Sequence, residues 1–364
     1  MTHYRFLLFR LLLILVLTSI QSASNSHVPL STSNNITVRQ TVSTSVDDLT
    51  SSKRNSVQPN ESGNIIIVMF HNFARQYSNN PHVEQPYTLT LQRFRQLLYV
   101  LYARNYRLIS LADFYNNHID IPEGMIPIVF TFDDATAGQF HLVKNESGEW
   151  VAAPNTAVGV LEAFHRKFPD FGLEGTFFIN MGLTRPIFDG GGTLEERLKY
   201  LVSKGFEIGN HTWSHADLRK AASNLEVMQE VGQNQSALNA VLPGYQMQSL
   251  ALPYGRTPKA AWMTATMSGD FDGVQYENQV VLGVGSKPSH SPTSTLFVPS
   301  DVHRVRAPGR DPVVTDLDWW LKKISPGRLY VSDGNPHVVT IPKNSYGQLA
   351  RGFLKREKQH LIVY

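Results

Sequence analysis

The stretch IPIVFTFDD, residues 126–134, joins an apolar run directly to two adjacent aspartates. A short run of β-branched and aromatic residues is typical of a buried strand. Seven further runs of this kind follow residue 63: IIIVMF (65–70), YRLISL (106–111), GTFFIN (175–180), FEIGN (206–210), SLALP (249–253), QVVLGVG (279–285) and the less regular VHRVRA (302–307).

Helical patterns separate these runs. Two sets of apolar residues each fall on one helical face: Leu91, Phe94, Leu98 and Leu101, and then Leu194, Leu198, Leu201 and Val202. Strands that alternate with helices predict a parallel sheet covered by helices. Seven or eight such units favour a closed or nearly closed α/β barrel, and an open doubly wound sheet is the alternative.

The rest of the chain divides by composition. Arg5 and Arg10 flank an apolar run that is shorter than the about 20 residues of a membrane span, so residues 1–24 are predicted to be a signal peptide, with an uncleaved anchor as the alternative. Residues 25–62 are rich in Ser, Thr and Asn and are predicted to be a flexible linker. Residues 63–364 then form one large domain.

Charge and cysteine content exclude several kinds of protein. The predicted signal peptide holds two arginines and no acid, so the formal charge falls from +3 to +1 when it is removed. A nearly neutral domain gives no reason to expect a nucleic-acid partner. The absence of cysteine excludes disulfides, cysteine nucleophiles and thiolate metal sites.

Polar residues that follow the predicted strands are the candidates for a site, because the loops at the carboxyl ends of barrel strands build the active site. Asp133 and Asp134 follow one strand, and His211 and His215 follow another. Two imidazoles four residues apart can bind one divalent metal, and a carboxylate from another strand end would complete a three-ligand site. Helix capping and surface hydrogen bonding are the alternative interpretations.

These residues lie in motifs that resemble the polysaccharide deacetylase family, also called the NodB-homology family or carbohydrate esterase family 4. The motifs are TFDD (131–134), HTWSH (211–215) and LPYG (252–255), and the resemblance covers roughly residues 64–340. MFHNF (69–73), YRLISLADF (106–114) and YVSDGNPHVVTIP (330–342) are similar to an exported, mostly Gram-positive branch. The resemblance implies a distorted (β/α) barrel of about seven parallel strands, with residues 63–364 as the catalytic domain.

The resemblance also implies residue roles. Asp133 would be the general base, and the metal ligands would be Asp134, His211 and His215, with zinc as the default ion and cobalt, nickel or manganese as alternatives. Pro253 and Tyr254 would line the substrate site, and the Tyr254 backbone N–H would stabilise an oxyanion. The implied reaction removes N-acetyl groups from a cell-surface glycan such as peptidoglycan, poly-N-acetylglucosamine or chitin oligomers. The protein would be a secreted or cell-wall-associated monomer, with membrane contact only through an uncleaved N-terminal segment.

Three departures from the family pattern limit this inference. Ala135 stands where the family has glycine, and Ala251 stands where it has the arginine that orients the base. Arg304 or Arg306 would supply that charge from a later strand, unless both only line a solvated strand edge. No leucine-x-histidine motif provides the general acid.

For the missing acid, the first candidate is His303 and the second is His337. Trp319, with Asp318 beside it, is a candidate for the aromatic contact to the acetyl methyl group, although a helix that packs its tryptophan into the core explains the same letters. Two further interpretations of the whole chain stay open. One is a catalytically impaired homologue that serves as an exported glycan-binding module, and the weaker one is a purely structural metal site.

Overall fold

The computed structural model describes residues 58–78, 87–310, 313–356 and 358–364. The predicted signal peptide and most of the predicted linker lie outside the described residues. Within the described ranges, no helix combines the length and the apolar character needed to cross a membrane.

The described residues form sixteen strands and eight α-helices. In chain order the strands are β1 Ile66–Phe70, β2 Asn72–Ala74, β3 Thr88–Thr90, β4 Tyr106–Ile109, β5 Ile126–Asp133, β6 Leu142–Lys144, β7 Trp150–Ala152, β8 Thr176–Ile179, β9 Glu207–Asn210, β10 Ser249–Ala251, β11 Ser268–Phe271, β12 Val274–Glu277, β13 Val280–Leu282, β14 Val305–Arg306, β15 Val338–Ile341 and β16 His360–Val363. The helices are α1 Leu91–Ala103, α2 Leu111–Asn116, α3 Ala157–Lys167, α4 Leu194–Ser203, α5 Asn224–Val241, α6 Thr264–Met267, α7 Leu317–Lys323 and α8 Arg351–Arg356.

Eight parallel strands form the central sheet, in the order β13-β10-β9-β8-β5-β1-β14, with β4 beside the first half of β5. The eight predicted apolar runs supply these eight strands. Leu282 of β13 makes a parallel bridge to Val302, whose segment runs on into β14 and so back to β1. The sheet therefore curls into the predicted distorted (β/α) barrel, and the predicted parallel arrangement is confirmed.

Alternate residues of each strand face opposite sides of the sheet. Val68 and Phe130 pack against the helices, whereas Ile67, Val129 and Phe178 pack inside the barrel. The inward row of β5 continues through Thr131 to Asp133, so a carboxylate ends the strand at the mouth of the barrel.

The two predicted helical faces are confirmed in α1 and α4. All four apolar residues of the first set are buried on the inner face of α1. On the inner face of α4, Leu198 and Leu201 are buried. Thr90 caps α1 by accepting from the Arg93 N–H, and Thr193 forms a capping box with Glu196 at the start of α4. Such caps satisfy backbone donors that the first helical turn leaves unpaired.

The predicted linker boundary at residue 62 needs correction. Asn60 and Glu61 are buried, and the Asn60 N–H donates to the Val331 carbonyl at 2.9 Å. The Glu61 carboxylate accepts from the Thr340 N–H at 2.8 Å. The folded body therefore begins before residue 60, because polar residues in this segment pair with the C-terminal part of the chain instead of staying in solvent.

Candidate active site

The backbone turns sharply where β5 ends. Asp134 has φ +78° and Ala135 has φ +50°, so two successive residues adopt the left-handed conformation. The Ala135 carbonyl accepts from the Phe188 N–H at 2.8 Å, which fixes the turn. A left-handed conformation costs a residue with a Cβ about 1–2 kcal/mol, which explains why glycine suits this position better than Ala135.

Asp134, His211 and His215 converge at this turn. The Asp134 Oδ1 lies 3.8 Å from the His211 Nε2 and 3.4 Å from the His215 Nε2. One ligand atom from each residue lies within 4.8 Å of the other two. Donor atoms of a tetrahedral zinc site lie about 3.3 Å apart, given bonds of about 2.0–2.1 Å. The three side chains therefore fit a divalent metal.

Hydrogen bonds orient the two imidazoles. The Nδ1 of His211 lies 2.8 Å from the Ala251 carbonyl oxygen, an acceptor, so Nδ1 carries the proton and Nε2 keeps its lone pair for a metal. The Nδ1 of His215 lies 3.2 Å from the Tyr254 hydroxyl. Burial lowers the pKa of both His211 and His215, which favours the neutral form that binds metals.

Tyr254 lies in the short 3-10 turn Pro253–Gly255, directly after β10 and the buried Leu252. Its φ is +58°, and 58% of its surface is exposed. The predicted substrate-site pair therefore combines a buried proline with a tyrosine that stands at the rim, against the ring of His215.

Asp133 is buried and paired with Arg304. The two guanidinium nitrogens lie 2.7 and 2.8 Å from the two carboxylate oxygens. Arg304 also donates to the Thr131 hydroxyl at 3.1 Å and to the Gly283 carbonyl at 2.9 Å. Burial raises the pKa of Asp133, but the opposing effect of the Arg304 charge, aided by the nearby histidines, holds that pKa well below its usual range. The carboxylate is therefore ionised.

The two candidate arginines have different positions. Arg304 is fully buried on Asp133, so the alternative of a solvated strand edge does not apply to it. Arg306 lies two residues further toward the barrel mouth, and its guanidinium stacks 5.3 Å from the centre of the Tyr87 ring.

The structure places His71 at the site, a residue that the sequence analysis did not select. Its Nε2 lies 3.9 Å from the Asp133 Oδ2, and its side chain is 18% exposed. The buried Gln139 donates to the carbonyl oxygens of both His71 and Asp133, which ties the two strand ends together. Burial lowers the pKa of His71. His71 follows β1 directly, so the rule that selected the aspartates also applies to it.

Neither of the two histidines predicted as the general acid lies beside Asp133. His303 alternates with the inward-facing Arg304 along the strand, and the charged groups that act on it are Lys287 and Asp301. His337 is exposed in a turn before β15, where its N–H donates to Asn335. No contact between either histidine and Asp133 occurs among the described residues, because the period of a strand directs His303 to the outer face.

The rings of Trp319 and Trp320 meet edge to face within α7, with centres 4.9 Å apart. The neighbouring Asp318 pairs with Arg93 of α1 at 2.5 Å. Trp320, partly buried, packs against the core as the alternative for this pair expects. Among the described residues, no contact joins Trp319 to the metal cluster.

Arg185 is a second residue that the sequence analysis did not select. Its Nη2 lies 3.2 Å from the same Asp134 Oδ1 that faces the histidines, and its side chain is half exposed. The residue lies in the connection between β8 and α4, where no strand pattern indicates which side chain points to the site.

Comparison with known proteins identifies this arrangement. Residues 123–269 match the sequence profile of the polysaccharide deacetylase family. The deacetylase PplD of Streptococcus pyogenes, solved in complex with acetate, superposes with a TM-score of 0.52 and 16% identity over 74% of this chain and 100% of its own. A polysaccharide deacetylase from Bacillus cereus gives a TM-score of 0.49 and 17% identity over 71% of this chain and 68% of its own.

At 16% identity the likeness to PplD establishes the fold and not the activity. The matched range contains Asp133 and Asp134, both histidines and the LPYG turn. Residues 123–269 of this chain therefore resemble the polysaccharide deacetylase family in sequence.

Proposed function

We propose that this protein hydrolyses N-acetyl groups of amino-sugar glycans in a metal-dependent reaction and releases acetate. Peptidoglycan, poly-N-acetylglucosamine and chitin-like oligomers are the substrate candidates. One observation carries the proposal: three side chains that fit a metal converge beside a buried, ionised carboxylate. The match of residues 123–269 to the polysaccharide deacetylase profile independently supports a hydrolase that acts on amide bonds of polysaccharides.

Asp134, His211 and His215 would hold the ion. When bound, a divalent metal of this kind lowers the pKa of water toward neutrality and polarises the acetyl carbonyl. Zinc suits two imidazoles and one carboxylate, and cobalt, nickel and manganese are alternatives for the same ligands.

Asp133 would take the proton from the attacking water. Each carboxylate oxygen has two lone pairs, and Arg304 uses one on each oxygen, so acceptor capacity remains on both. Adjacent aspartates thereby divide two tasks that a single carboxylate cannot perform together. Asp134 is committed to the metal, whereas Asp133 stays free to accept a proton.

His71 would return a proton to the leaving amine. An amine leaves poorly until it is protonated, so an acid must be within reach. The His71 Nε2, 3.9 Å from Asp133, is the imidazole nitrogen placed to relay that proton, since hydrogen bonds in active sites often tighten only around the substrate. The backbone N–H of Tyr254, in its fixed turn, would stabilise the oxyanion.

The first experiment measures acetate release from N-acetylglucosamine oligomers and from peptidoglycan after chelation, with zinc, cobalt or nickel then restored. We expect release that depends on metal. Asp133→Asn should retain metal and lose hydrolysis, whereas the matched control His303→Gln should keep both. Turnover that is unchanged in Asp133→Asn would remove that residue from the mechanism.

A glycan-binding module without catalysis is the competing function. The missing arginine at Ala251 favoured the binding module. However, the bidentate Arg304–Asp133 contact supplies the same charge from the residue directly before β14. Bound metal with no acetate released from any glycan would nevertheless favour the binding module.

We also propose that the protein works as an exported monomer at the cell surface. The apolar run and small polar residues of segment 1–24 support export, and the proposed substrates are cell-surface polymers. Fractionation of cells that express the full chain, followed by sizing of the recovered protein, tests both points.

A further inference from the structure

A long groove lies at the end of the barrel opposite the catalytic residues. It consists of three adjoining cavities of about 630, 560 and 390 Å³. The first two share Ser268, Glu277 and Gln279, and the third joins them through Tyr115 and Gln248. Each cavity falls within the about 300–1,000 Å³ of ligand sites, and their arrangement side by side suits an extended ligand.

The groove is distinct from the catalytic centre. It is lined by Glu207 and Ser249, the first residues of β9 and β10, whereas His211 and the LPYG turn follow the last residues of those strands. A four-residue strand spans about 10–13 Å. A ligand in the groove therefore does not reach the acetyl group under attack.

One wall of the groove is the exposed face of the β11–β12 hairpin. Ser268 pairs with Glu277, and Asp270 pairs with Gln275, so these four side chains share one face. The opposite face carries the buried Tyr276 and packs on α5. The hairpin is thus anchored on one side and presents polar groups on the other.

Amide side chains line much of the 560 and 390 Å³ cavities, including Gln246, Gln248 and Gln279. The far wall of the 630 Å³ cavity carries Phe297 and Pro299. An amide both donates and accepts hydrogen bonds, as sugar hydroxyl groups do. The Tyr115 hydroxyl donates to the Gln248 Oε1 at 2.8 Å and fixes that amide.

The charge of the groove is one-sided. No Lys, Arg or His is among the described residues that line it, although the chain has 33 Lys and Arg. Asp270 and Glu277 are exposed carboxylates, and each accepts one local hydrogen bond, from the Gly273 N–H and the Gln279 amide. Glu207 is bonded to Thr176 and Ala112 and lies deeper. Such a surface repels phosphates and other anions and attracts amines.

We propose that this groove binds de-N-acetylated segments of an amino-sugar polymer, whose free amines are partly protonated at neutral pH and fully protonated in mild acid. This inference rests on the proposed function, since that reaction creates the amine. The amides contact the sugar hydroxyl groups, and the two carboxylates contact the ammonium groups. The groove holds a distant, already deacetylated segment of the strand under attack, so that the enzyme stays on a polymer that it has begun to deacetylate.

The test compares binding of a glucosamine hexamer and an N-acetylglucosamine hexamer to the full chain by calorimetry, with chelator present to prevent turnover. We expect tighter binding of the glucosamine hexamer, and a preference that shrinks as salt rises. Glu277→Gln should weaken that binding by about two- to fivefold, since an exposed ion pair contributes modestly. Adding Asp270→Asn should weaken it further.

Asp272→Asn is the matched control. It removes the same charge from the turn of the same hairpin, outside the residues that line the groove. Equal affinity for the two hexamers, or equal effects of Glu277→Gln and Asp272→Asn, would overturn the proposal. Acetate release from an N-acetylglucosamine trimer should be unchanged in Glu277→Gln. Because binding is measured without hydrolysis, failure of the groove shows in the calorimetry. Failure of the proposed function shows separately, as the absence of acetate release.

Discussion

Arg304→Met is expected to destabilise the fold strongly. The side chain is fully buried, pairs with both oxygens of Asp133, and donates to Thr131 and Gly283. Without the guanidinium, the ionised carboxylate is left in the barrel interior with no opposite charge bonded to it. Removal of one partner from a buried ion pair costs about 3–5 kcal/mol of unfolding free energy.

The double variant Asp133→Asn/Arg304→Met separates the ion pair from simple packing. Replacing both partners by neutral groups of similar size is often nearly neutral, because no uncompensated charge remains buried. We therefore expect the double variant to recover at least about 2 kcal/mol relative to Arg304→Met alone. Loss of packing volume alone predicts no recovery.

Thermal and urea denaturation measure how much unfolding free energy these variants lose. The folded body has roughly 300 described residues, and an unfolding entropy of about 2.1 cal/mol/K per residue gives about 0.6 kcal/mol/K. A loss of 3–5 kcal/mol then lowers the Tm by about 5–8 °C. A fall of less than about 2 °C in Arg304→Met, or a double variant as unstable as the single one, would refute the argument.

Three further predictions concern other groups. Burial raises the pKa of Glu61 to about 7, above its value in the unfolded state, so between these values the folded state holds a proton that the unfolded state has lost. The wild-type free energy of unfolding should therefore fall as the pH rises from about 4.5 to 7. Urea midpoints of Glu61→Gln should not show this fall. His71→Gln should lower kcat by about 10²-fold or more with metal retained, whereas His303→Gln should stay within about twofold; equal losses would contradict the assignment. Arg185→Ala should tighten zinc binding about two- to fivefold by calorimetry, because Arg185 shares the Asp134 carboxylate; unchanged affinity would show that the contact does not compete.

The strands could be predicted because each is a short apolar run bounded by polar residues. The order of the strands in the sheet could not be predicted, because an apolar run does not indicate which other strand it pairs with. Two details depend on tertiary contacts alone. β4 pairs with only the first half of β5 and leaves the second half to β8, and Val302 connects β13 toward β14.

The side chains of the candidate site were predictable where they directly follow or end a strand, as His211 and Asp133 do. The choice between Arg304 and Arg306 was not, because residues two apart in a strand share a face and differ only in depth. Because successive residues of a strand face opposite sides, His303 faces away from the site when its neighbour Arg304 faces inward. His71 was overlooked although it follows β1 directly, since a single histidine carries little weight until Asp133 is placed beside it.

The position of Arg304 explains how the family's arginine can be absent from its usual strand. In a parallel barrel every strand delivers its last residues to the same mouth, so a charge near Asp133 can come from several strands. Ala251 is fully buried and packs with Phe178, and the Arg304 guanidinium lies 5.7 Å from the centre of that ring. The small side chain of Ala251 on β10 therefore leaves room for the large side chain of Arg304, which comes from the segment before β14. Loss of the motif arginine changes where the positive charge originates and leaves Asp133 paired.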